Sequence, residues 1–232
     1  MKKIGIIGGI GPESTLDYYR GIIDAFREQS RGLHYPDIIV YSADLGEVLE
    51  IMEARALDRL TDWLLTRIEA LHRAGAEFAA IASNTPHVVF DEVQRRSPLP
   101  LISIVQATCV KAATMGVRRP GLMGTQFTMQ ADFYERPFVE QGMKVVVPTP
   151  EEQQFIHEKL FSEIELGIIR EETRSALLAI VKDMIEREDI DSLILGCTEL
   201  PLILPNDAHG IPLLNTAAIH VAEIVHHCLG NK

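Results

Sequence analysis

The chain has 232 residues, 47% of them hydrophobic, and a formal net charge of −11. A chain of this length can bury a substantial core in one large domain or two small ones. Its apolar runs, such as residues 38–41 and 193–195, are far shorter than the roughly 20 residues of a membrane span, and its basic residues are scattered. We therefore expect a protein that acts on a small molecule and binds neither membranes nor nucleic acids.

Apolar, β-branched segments alternate with helical patterns along the whole chain. The predicted strands are, in chain order, KIGIIG, DIIVYS, FAAIAS, LISI, RPGLMG, KVVVPT, SLILG and IPLLN. Amphipathic helical patterns lie between most of them, from STLDYYRGIIDAFREQ to a last helix that ends at His227. This alternation is typical of an α/β fold built on parallel sheets.

The N-terminal lysines and apolar run bear some likeness to a signal peptide, but the run is short and is interrupted by glycines and a proline. The segment is better interpreted as the first strand of a cytoplasmic protein. Cys109, Cys197 and Cys228 are an odd number at no framework spacing. We therefore expect reduced thiols in a reducing compartment.

The sequence nearly repeats itself at an offset of 112 to 115 residues. Three pairs of positions in similar local sequences share this offset: Asp17 with Asp132, Ser83 with Cys197, and Pro100 with Pro212. An internal repeat of this length predicts two α/β halves related by a pseudo-twofold axis, each with a central parallel sheet.

The domain boundaries follow from the same repeat. The segments after Pro100 and Pro212 match each other, so we expect the strand and helix after each proline to cross over and pack on the other half. The first domain is then 1–98 plus 212–232, and the second is 99–211. The active site is expected in the cleft between the two domains.

Ligands of parallel sheets bind outside the carboxyl ends of the strands. Small and polar residues follow the predicted strands at five places: Gly8–Pro12, Ser42–Asp44, Ser83–Thr85, Thr125–Thr128 and Cys197–Glu199. The pseudo-twofold would set Ser83 and Cys197 on opposite sides of one substrate.

The glycine-rich turn GGIGPES lacks the GxGxxG pattern of a dinucleotide site, and Asp44 lies too far along the chain to bind a ribose. We expect no nucleotide cofactor there. Backbone N–H groups of the turn and of the helix that begins near Ser14 are expected to bind a small carboxylate instead. The histidines show no metal-ligand spacing, so no metal site is predicted.

Four motifs, GGIGPEST, SNTPH, GTQFT and GCTEL, resemble in order and spacing those of the aspartate/glutamate racemase family. The resemblance covers nearly the whole chain. It implies a PLP-independent racemase without any cofactor, with an amino acid as substrate and a homodimer as the assembly. In that family two cysteines flank the substrate α-carbon: one thiolate removes the α-proton, and the opposite thiol returns a proton to the other face.

The family's catalytic cysteines correspond to Cys197 and Ser83. The substrate-binding positions that the resemblance implies are Ile10, Met52, Asn84, Thr85, Thr125, Thr128, Thr198 and Glu199, with His87 supporting them from behind. Without PLP, hydrogen bonds and electrostatics alone must stabilise the carbanion. A thiol at a strand-to-helix turn is expected to have its pKa lowered toward neutrality, so that it can act as base or acid.

Ser83 departs from the family pattern, because an alcohol is a far poorer acid or base than a thiol. Its hydroxyl would need activation by a neighbour, for which His87 and Glu199 are the candidates. Several interpretations stay open. Ser83 is a natural variant that still shuttles a proton, or an engineered replacement that stalls the enzyme, or part of a one-sided enzyme that resembles the decarboxylases and isomerases of the superfamily. A catalytically silent amino-acid-binding protein is a further alternative.

The substrate side chain is not specified by charge. The segment DLGEVLEIME is acidic, and no basic residue follows the second strand before Arg55. Met52 lies where a substrate contact is expected, and it brings no charge. Aspartate or glutamate is the default that the resemblance implies, and a broader or more apolar substrate stays open.

Overall fold

The computed structural model describes residues 1–29, 32–204 and 208–230. The chain divides into two compact units, Met1–Ala107 with Ala217–Lys232 and Thr108–Thr216. Each unit contains a parallel sheet with helices, which confirms the predicted α/β class. Among the described helices, none is both long and apolar enough to cross a bilayer.

The sheet of the first unit has the strand order β2-β1-β3-β4, with every neighbouring pair parallel. Its strands are β1 (Ile4–Gly8), β2 (Ile38–Ser42), β3 (Phe78–Ile81) and β4 (Leu101–Ile102). Its helices are α1 (Pro12–Glu28), α2 (Leu45–Glu53), α3 (Leu57–Arg73) and α4 (Phe90–Arg96), with a 3₁₀ helix at Thr85–Val89. The central strands β1 and β3 are buried at every residue, which explains their continuous apolar sequences.

The sheet of the second unit has the order β5-β6-β7 and is also parallel. Its strands are β5 (Pro120–Met123), β6 (Ser192–Leu195) and β7 (Leu213–Asn215). Its helices are α6 (Gln126–Gln130), α7 (Glu135–Glu140), α8 (Pro150–Ser162), α9 (Glu171–Glu188) and α10 (Leu200–Ile203), with a 3₁₀ helix at Ile164–Leu166. Helices α8 and α9 cover β6 with a buried apolar cluster that includes Ile156, Leu177 and Leu193.

The strands after Pro100 and Pro212 do not cross over, contrary to the prediction. Strand β4 pairs with β3 in the first sheet, and β7 pairs with β6 in the second. Each of these two strands forms its backbone hydrogen bonds with the strand that precedes it in the chain. Near β4, for example, Ala79 N donates to Pro100 O at 2.9 Å. The helices that follow change unit instead: α5 (Ile104–Thr114) runs from the first unit into the second, and α11 (Thr216–Leu229) runs back.

The strand predicted at KVVVPT is reduced to a single bridge. Val146 pairs with Gly121, and its N–H and C=O bond to Pro120 O and Leu122 N at 2.9 and 2.8 Å. Pro148 has no N–H to continue a ladder, and Thr149 already caps α8, so the pairing ends after one residue.

Candidate active site

The predicted residues of the first unit lie at the carboxyl edge of its sheet. Strands β1 and β3 are parallel neighbours, so the turn that contains Ile10 and the segment Ser83–Thr85 leave the sheet at the same edge. The Ser14 hydroxyl ties the two together, because it lies 2.9 Å from Gly11 O and 3.4 Å from Ala82 O. This local arrangement agrees with the prediction.

The glycine-rich turn is shaped by two positive φ angles, +80° at Gly9 and +82° at Gly11. A Cβ at Gly9 would collide with the carbonyl oxygen of Ala43. The N–H of Gly9 donates to the Thr15 hydroxyl at 2.8 Å. That N–H therefore already has a partner inside the protein, which reduces the set of donors that we expected for a carboxylate.

The predicted apolar contacts, Ile10 and Met52, are buried side chains with 6% and 5% of their surface exposed. Met52 lies in α2. Asn84 is buried, and Thr85 begins the 3₁₀ helix Thr85–Val89. None of these four side chains carries a charge.

The hydroxyl of Ser83 is not hydrogen-bonded to a base among the described residues. The residue is 9% exposed, and none of the hydrogen bonds among the described residues uses its Oγ. Its carbonyl oxygen, in contrast, accepts a hydrogen bond from Nδ1 of His87 at 3.0 Å. The contact between His87 and Ser83 therefore positions the backbone and leaves the hydroxyl unactivated.

Both ring nitrogens of His87 are occupied. Nε2 accepts from the N–H of Ile104 at 3.3 Å, and Nδ1 faces a carbonyl that can only accept. These partners fix the neutral tautomer with the proton on Nδ1. Burial, followed by the charge of His220, lowers the pKa of His87 to about 3. No described hydrogen bond joins a ring nitrogen of His87 to the Ser83 hydroxyl, and activation of Ser83 by His87 stays a prediction.

The predicted residues of the second unit also gather at a carboxyl edge. Strands β5 and β6 are parallel neighbours, so Gly124–Thr128 and Cys197–Glu199 follow adjacent strand ends. Thr125 caps α6, because its Oγ1 accepts from Thr128 N at 3.2 Å, and the two hydroxyls are 3.1 Å apart. Both threonines are buried.

Cys197 has two carboxylates beside its sulfur. Its Sγ lies 3.1 Å from Oε2 of Glu199 and 3.5 Å from Oε1 of Glu165. The hydroxyl of Thr198 donates to the same Glu199 Oε2 at 2.8 Å. The thiol is 6% exposed and Glu199 is 2% exposed. The predicted residues Cys197, Thr198 and Glu199 therefore form one hydrogen-bonded group.

Glu165 is the site residue that the sequence did not reveal. It lies in the 3₁₀ helix Ile164–Leu166, within a run of mixed acidic and apolar residues typical of an amphipathic surface. Burial, reinforced by the charge of Glu199, raises the pKa of Glu165 to about 8. Nothing in the local pattern marks this glutamate as a site residue; only the tertiary fold brings it to Cys197.

The pKa of Cys197 moves in the direction opposite to our expectation. Burial first, and then the charges of Glu199 and Glu165, raise the pKa of the thiol well above its ordinary value. The backbone N–H of Glu199 bonds to the sulfur and opposes this shift, but it is outweighed. The resting group is therefore the protonated thiol, and its S–H has a carboxylate oxygen as acceptor.

The comparisons with known proteins agree with the motifs. The sequence model of the family described as Asp/Glu/Hydantoin racemase matches residues 7–224. The crystal structure of an aspartate racemase homologue from Pyrococcus horikoshii OT3 is 38% identical, with 99% of this chain and 100% of that chain covered and a TM-score of 0.84.

Two further relatives extend the comparison. A candidate Asp/Glu racemase from Yersinia pestis is 33% identical, with the same coverage of 99% and 100% and a TM-score of 0.89. The broad specificity amino-acid racemase RacX of Bacillus subtilis (strain 168) is 24% identical over 220 residues, which are 93% of each chain. The chain belongs to the Asp/Glu/Hydantoin racemase family.

Proposed function

We propose that the protein is a cofactor-independent amino-acid racemase of the aspartate/glutamate type. Cys197 transfers the α-proton on one face of the substrate, and the hydroxyl of Ser83 serves the opposite face. The observation that most supports this proposal is the buried Cys197 thiol at the end of β6, whose S–H faces the carboxylate of Glu199 at 3.1 Å. A thiol beside a proton acceptor can alternate between acid and base.

The first half of the reaction begins with the protonated thiol. The α-ammonium group of an amino acid brings a positive charge, which favours ionisation of Cys197 and transfer of its proton to the carboxylate of Glu199. The thiolate then takes the α-proton and becomes a thiol again, and the electron pair of the broken C–H bond is left on the α-carbon. Hydrogen bonds to the substrate carboxylate stabilise that charge, for which Asn84, Thr85 and Thr198 are the proposed donors.

The second half of the reaction is the slower one in this proposal. Inversion requires a proton on the opposite face, and the proposed donor is the hydroxyl of Ser83. The alkoxide that remains takes a proton from water, and Glu199 returns its proton to water, so the enzyme ends in its resting state. No described hydrogen bond activates this hydroxyl, and both nitrogens of His87 are occupied. We therefore infer that exchange at the Cys197 face is fast and that inversion is slow.

The substrate in this proposal is an amino acid with aspartate and glutamate as first candidates. The proposed contacts Ile10 and Met52 are apolar, and α2 is acidic, with Glu47 in its first turn. These features support a range of substrates that includes neutral amino acids. The printed name of the Bacillus subtilis relative, a broad specificity racemase, points the same way.

One-sided chemistry is the second candidate. The unactivated Ser83 hydroxyl favours an enzyme in which Cys197 alone protonates a carbanion, such as a decarboxylase or an isomerase of small carboxylic acids. A catalytically impaired variant that only binds amino acids is the limiting case. This impaired variant would bind an amino acid without changing its configuration.

We also propose that the protein acts in the cytoplasm as a homodimer. Cys109, Cys197 and Cys228 carry thiols and are not joined in disulfides within the described residues, which supports a reducing compartment. Exposed apolar side chains on α1, Leu16 at 57% and Tyr19 at 52%, support a self-association surface. Light scattering during size-exclusion chromatography should give a mass of two chains; a mass of one chain would contradict the dimer.

The proposed function is tested by incubating the protein with each amino-acid enantiomer in D₂O. Mass spectrometry measures α-deuteration, and chiral chromatography measures inversion. The proposal expects deuteration of at least one acidic or neutral amino acid, together with slower formation of its mirror image. Deuteration without any inversion supports the one-sided alternative, and binding without deuteration supports the amino-acid-binding alternative.

A further inference from the structure

Three side chains meet near the end of β6, and we name them the thiol–carboxylate cluster: Glu165, Cys197 and Glu199. Together they offer one sulfur ligand and two carboxylate ligands. One ligand atom from each lies within 4.8 Å of the others. The sulfur is 3.5 Å from Glu165 Oε1 and 3.1 Å from Glu199 Oε2. The three groups are therefore near enough to share one ion.

The cluster has no cationic side chain as an ion-pair partner in the described part of the chain. None of the ion pairs among the described residues includes Glu165 or Glu199. The second oxygen of Glu199, Oε1, is buried and has no hydrogen-bond partner in the described part of the chain. A buried carboxylate oxygen without a partner is costly, since it has lost water and gained nothing in return. This oxygen is part of the carboxylate that contacts Cys197, so it is available to a bound ion.

The spacing fits a tetrahedral metal ion. Zn²⁺ binds a thiolate at about 2.3 Å and a carboxylate oxygen at about 2.0–2.2 Å, so two such ligands of one tetrahedron lie about 3.5 Å apart. The observed sulfur–oxygen separations of 3.1 and 3.5 Å need little rearrangement to match it. Three protein ligands also leave the fourth position open, as in sites that keep a water molecule.

We propose that the thiol–carboxylate cluster binds one thiophilic divalent cation, with Zn²⁺ as the ligand and Cd²⁺ as its spectroscopic substitute. The ion forms a bond to the sulfur of Cys197 and the thiol proton leaves to solvent, so no oxidation or reduction takes place. The bond to the metal uses one lone pair of the sulfur and withdraws charge from it, so the metal-bound thiolate is a much weaker base toward the α-proton. Binding is therefore inhibitory, a consequence that rests on the proposed racemase function.

The test is a titration of the full chain with Cd²⁺ under reducing conditions, followed by ultraviolet absorption of the cadmium–thiolate bond. We expect one Cd²⁺ per chain, with absorption that EDTA reverses. Cys197→Ser should lose this absorption. Cys109→Ser and Cys228→Ser should retain it, because both cysteines lie outside the cluster. Circular dichroism checks that each variant is folded.

The carboxylates are tested with a matched pair of glutamates. Glu165→Gln removes one of the three proposed ligands. It should weaken Cd²⁺ binding by about tenfold or more, which is at least the effect of losing a group that only orients a ligand. Glu172→Gln, on the exposed first turn of α9, should leave it unchanged. Absent absorption, or absorption that survives Cys197→Ser, would overturn the proposal, as would equal binding by the two glutamine variants. Proton exchange without Cd²⁺ binding sinks only this inference, and Cd²⁺ binding without proton exchange sinks only the racemase proposal.

Discussion

The thiol of Cys197 is held in its protonated form by its surroundings. Burial and two neighbouring carboxylates raise the pKa of Cys197, so the protein without substrate does not hold a free thiolate. In this account the charge of the substrate releases the base at the moment when it is needed. A resting thiol is also less open to oxidation than a thiolate.

Replacement of Cys197 by alanine removes the proposed base on one face. Cys197→Ala should lower the fastest α-proton exchange by at least about 10²-fold, the lower end of what a positioned acid or base contributes. Cys109→Ser is the matched control, because the thiol of Cys109 donates to the carbonyl oxygen of Pro137 at 3.3 Å and lies outside the proposed site. Exchange measured by NMR in D₂O that stays at the parent rate in Cys197→Ala would contradict the assignment.

Introduction of a thiol at position 83 should speed proton transfer on the face of the substrate opposite Cys197. Ser83→Cys is expected to raise the rate of inversion by tenfold to 10²-fold on an order-of-magnitude basis, because a thiol is a much better acid and base than an alcohol. Ser83→Ala is the companion variant and should lower inversion while leaving exchange at the Cys197 face. Chiral chromatography measures both, and an unchanged rate in Ser83→Cys would exclude this position from the reaction.

The turns at the strand ends hold the site in place. Gly9 has φ +80° and lies directly against the backbone of Ala43, between β1 and α1. The turn carries Ile10 and is tied to the end of β3 through Ser14. A distortion there is therefore expected to reach the Ser83 segment.

The substitution Gly9→Ala tests whether the close approach to Ala43 matters, and the control is Gly75→Ala at a second glycine with positive φ. Gly75 has φ +95° but nothing within 4 Å of its would-be Cβ, so Gly75→Ala should cost about 1 kcal/mol for conformation alone. Gly9→Ala adds a collision with Ala43 and should cost about 1–3 kcal/mol more. Urea unfolding measures both; equal costs would show that the close approach does not matter.

The elements of this fold were predictable where local pattern decides them. Buried runs such as FAAI specified β3, and the repeat placed Ser83 and Cys197 after equivalent strands β3 and β6. The partners of β4 and β7 were not predictable, because a two- or three-residue strand carries no signal for which sheet it joins. Glu165 was missed for a related reason: its contact with Cys197 spans 32 residues and arises only from packing.

The stability of the whole molecule should depend on two buried histidines. Burial lowers the pKa of His87 to about 3 and that of His220 to about 4, from an ordinary 6.5. Tyr18 and Ile102 O occupy the ring nitrogens of His220. Below pH 6.5 these histidines bind protons in the unfolded chain but stay neutral in the folded chain. Their contribution to the free energy of unfolding is therefore fully present above pH 6.5 and is lost as the pH falls toward the folded pKa values.

His87→Asn tests this dependence. Each such histidine contributes a slope approaching about 1.4 kcal/mol per pH unit below its unfolded pKa. Between pH 6.5 and 5, the free energy of unfolding should therefore fall less steeply in His87→Asn than in the parent. Parallel slopes for the parent and His87→Asn would contradict the assignment.

At the scale of the molecule, the sequence predicted the α/β class and the family, because both depend on motifs that follow strands. It predicted that helices α5 and α11 change unit, and it was wrong only for the short strands β4 and β7 before them. The sign of the Cys197 pKa shift also depends on tertiary burial. The shared cleft and the two-faced reaction stay predictions.

Solvent-deuterium washout from the two enantiomers of one substrate distinguishes fast exchange at Cys197 alone from exchange at both faces. The equilibrium constant of racemisation is near one, so kcat/KM for inversion must be equal in both directions. Exchange of the α-proton with solvent at one face leaves the configuration unchanged, so its rate can differ between the two enantiomers. We predict much faster loss of the α-proton from the enantiomer whose proton faces Cys197 than from its mirror image. Equal washout from both enantiomers, or washout from neither, would contradict this prediction.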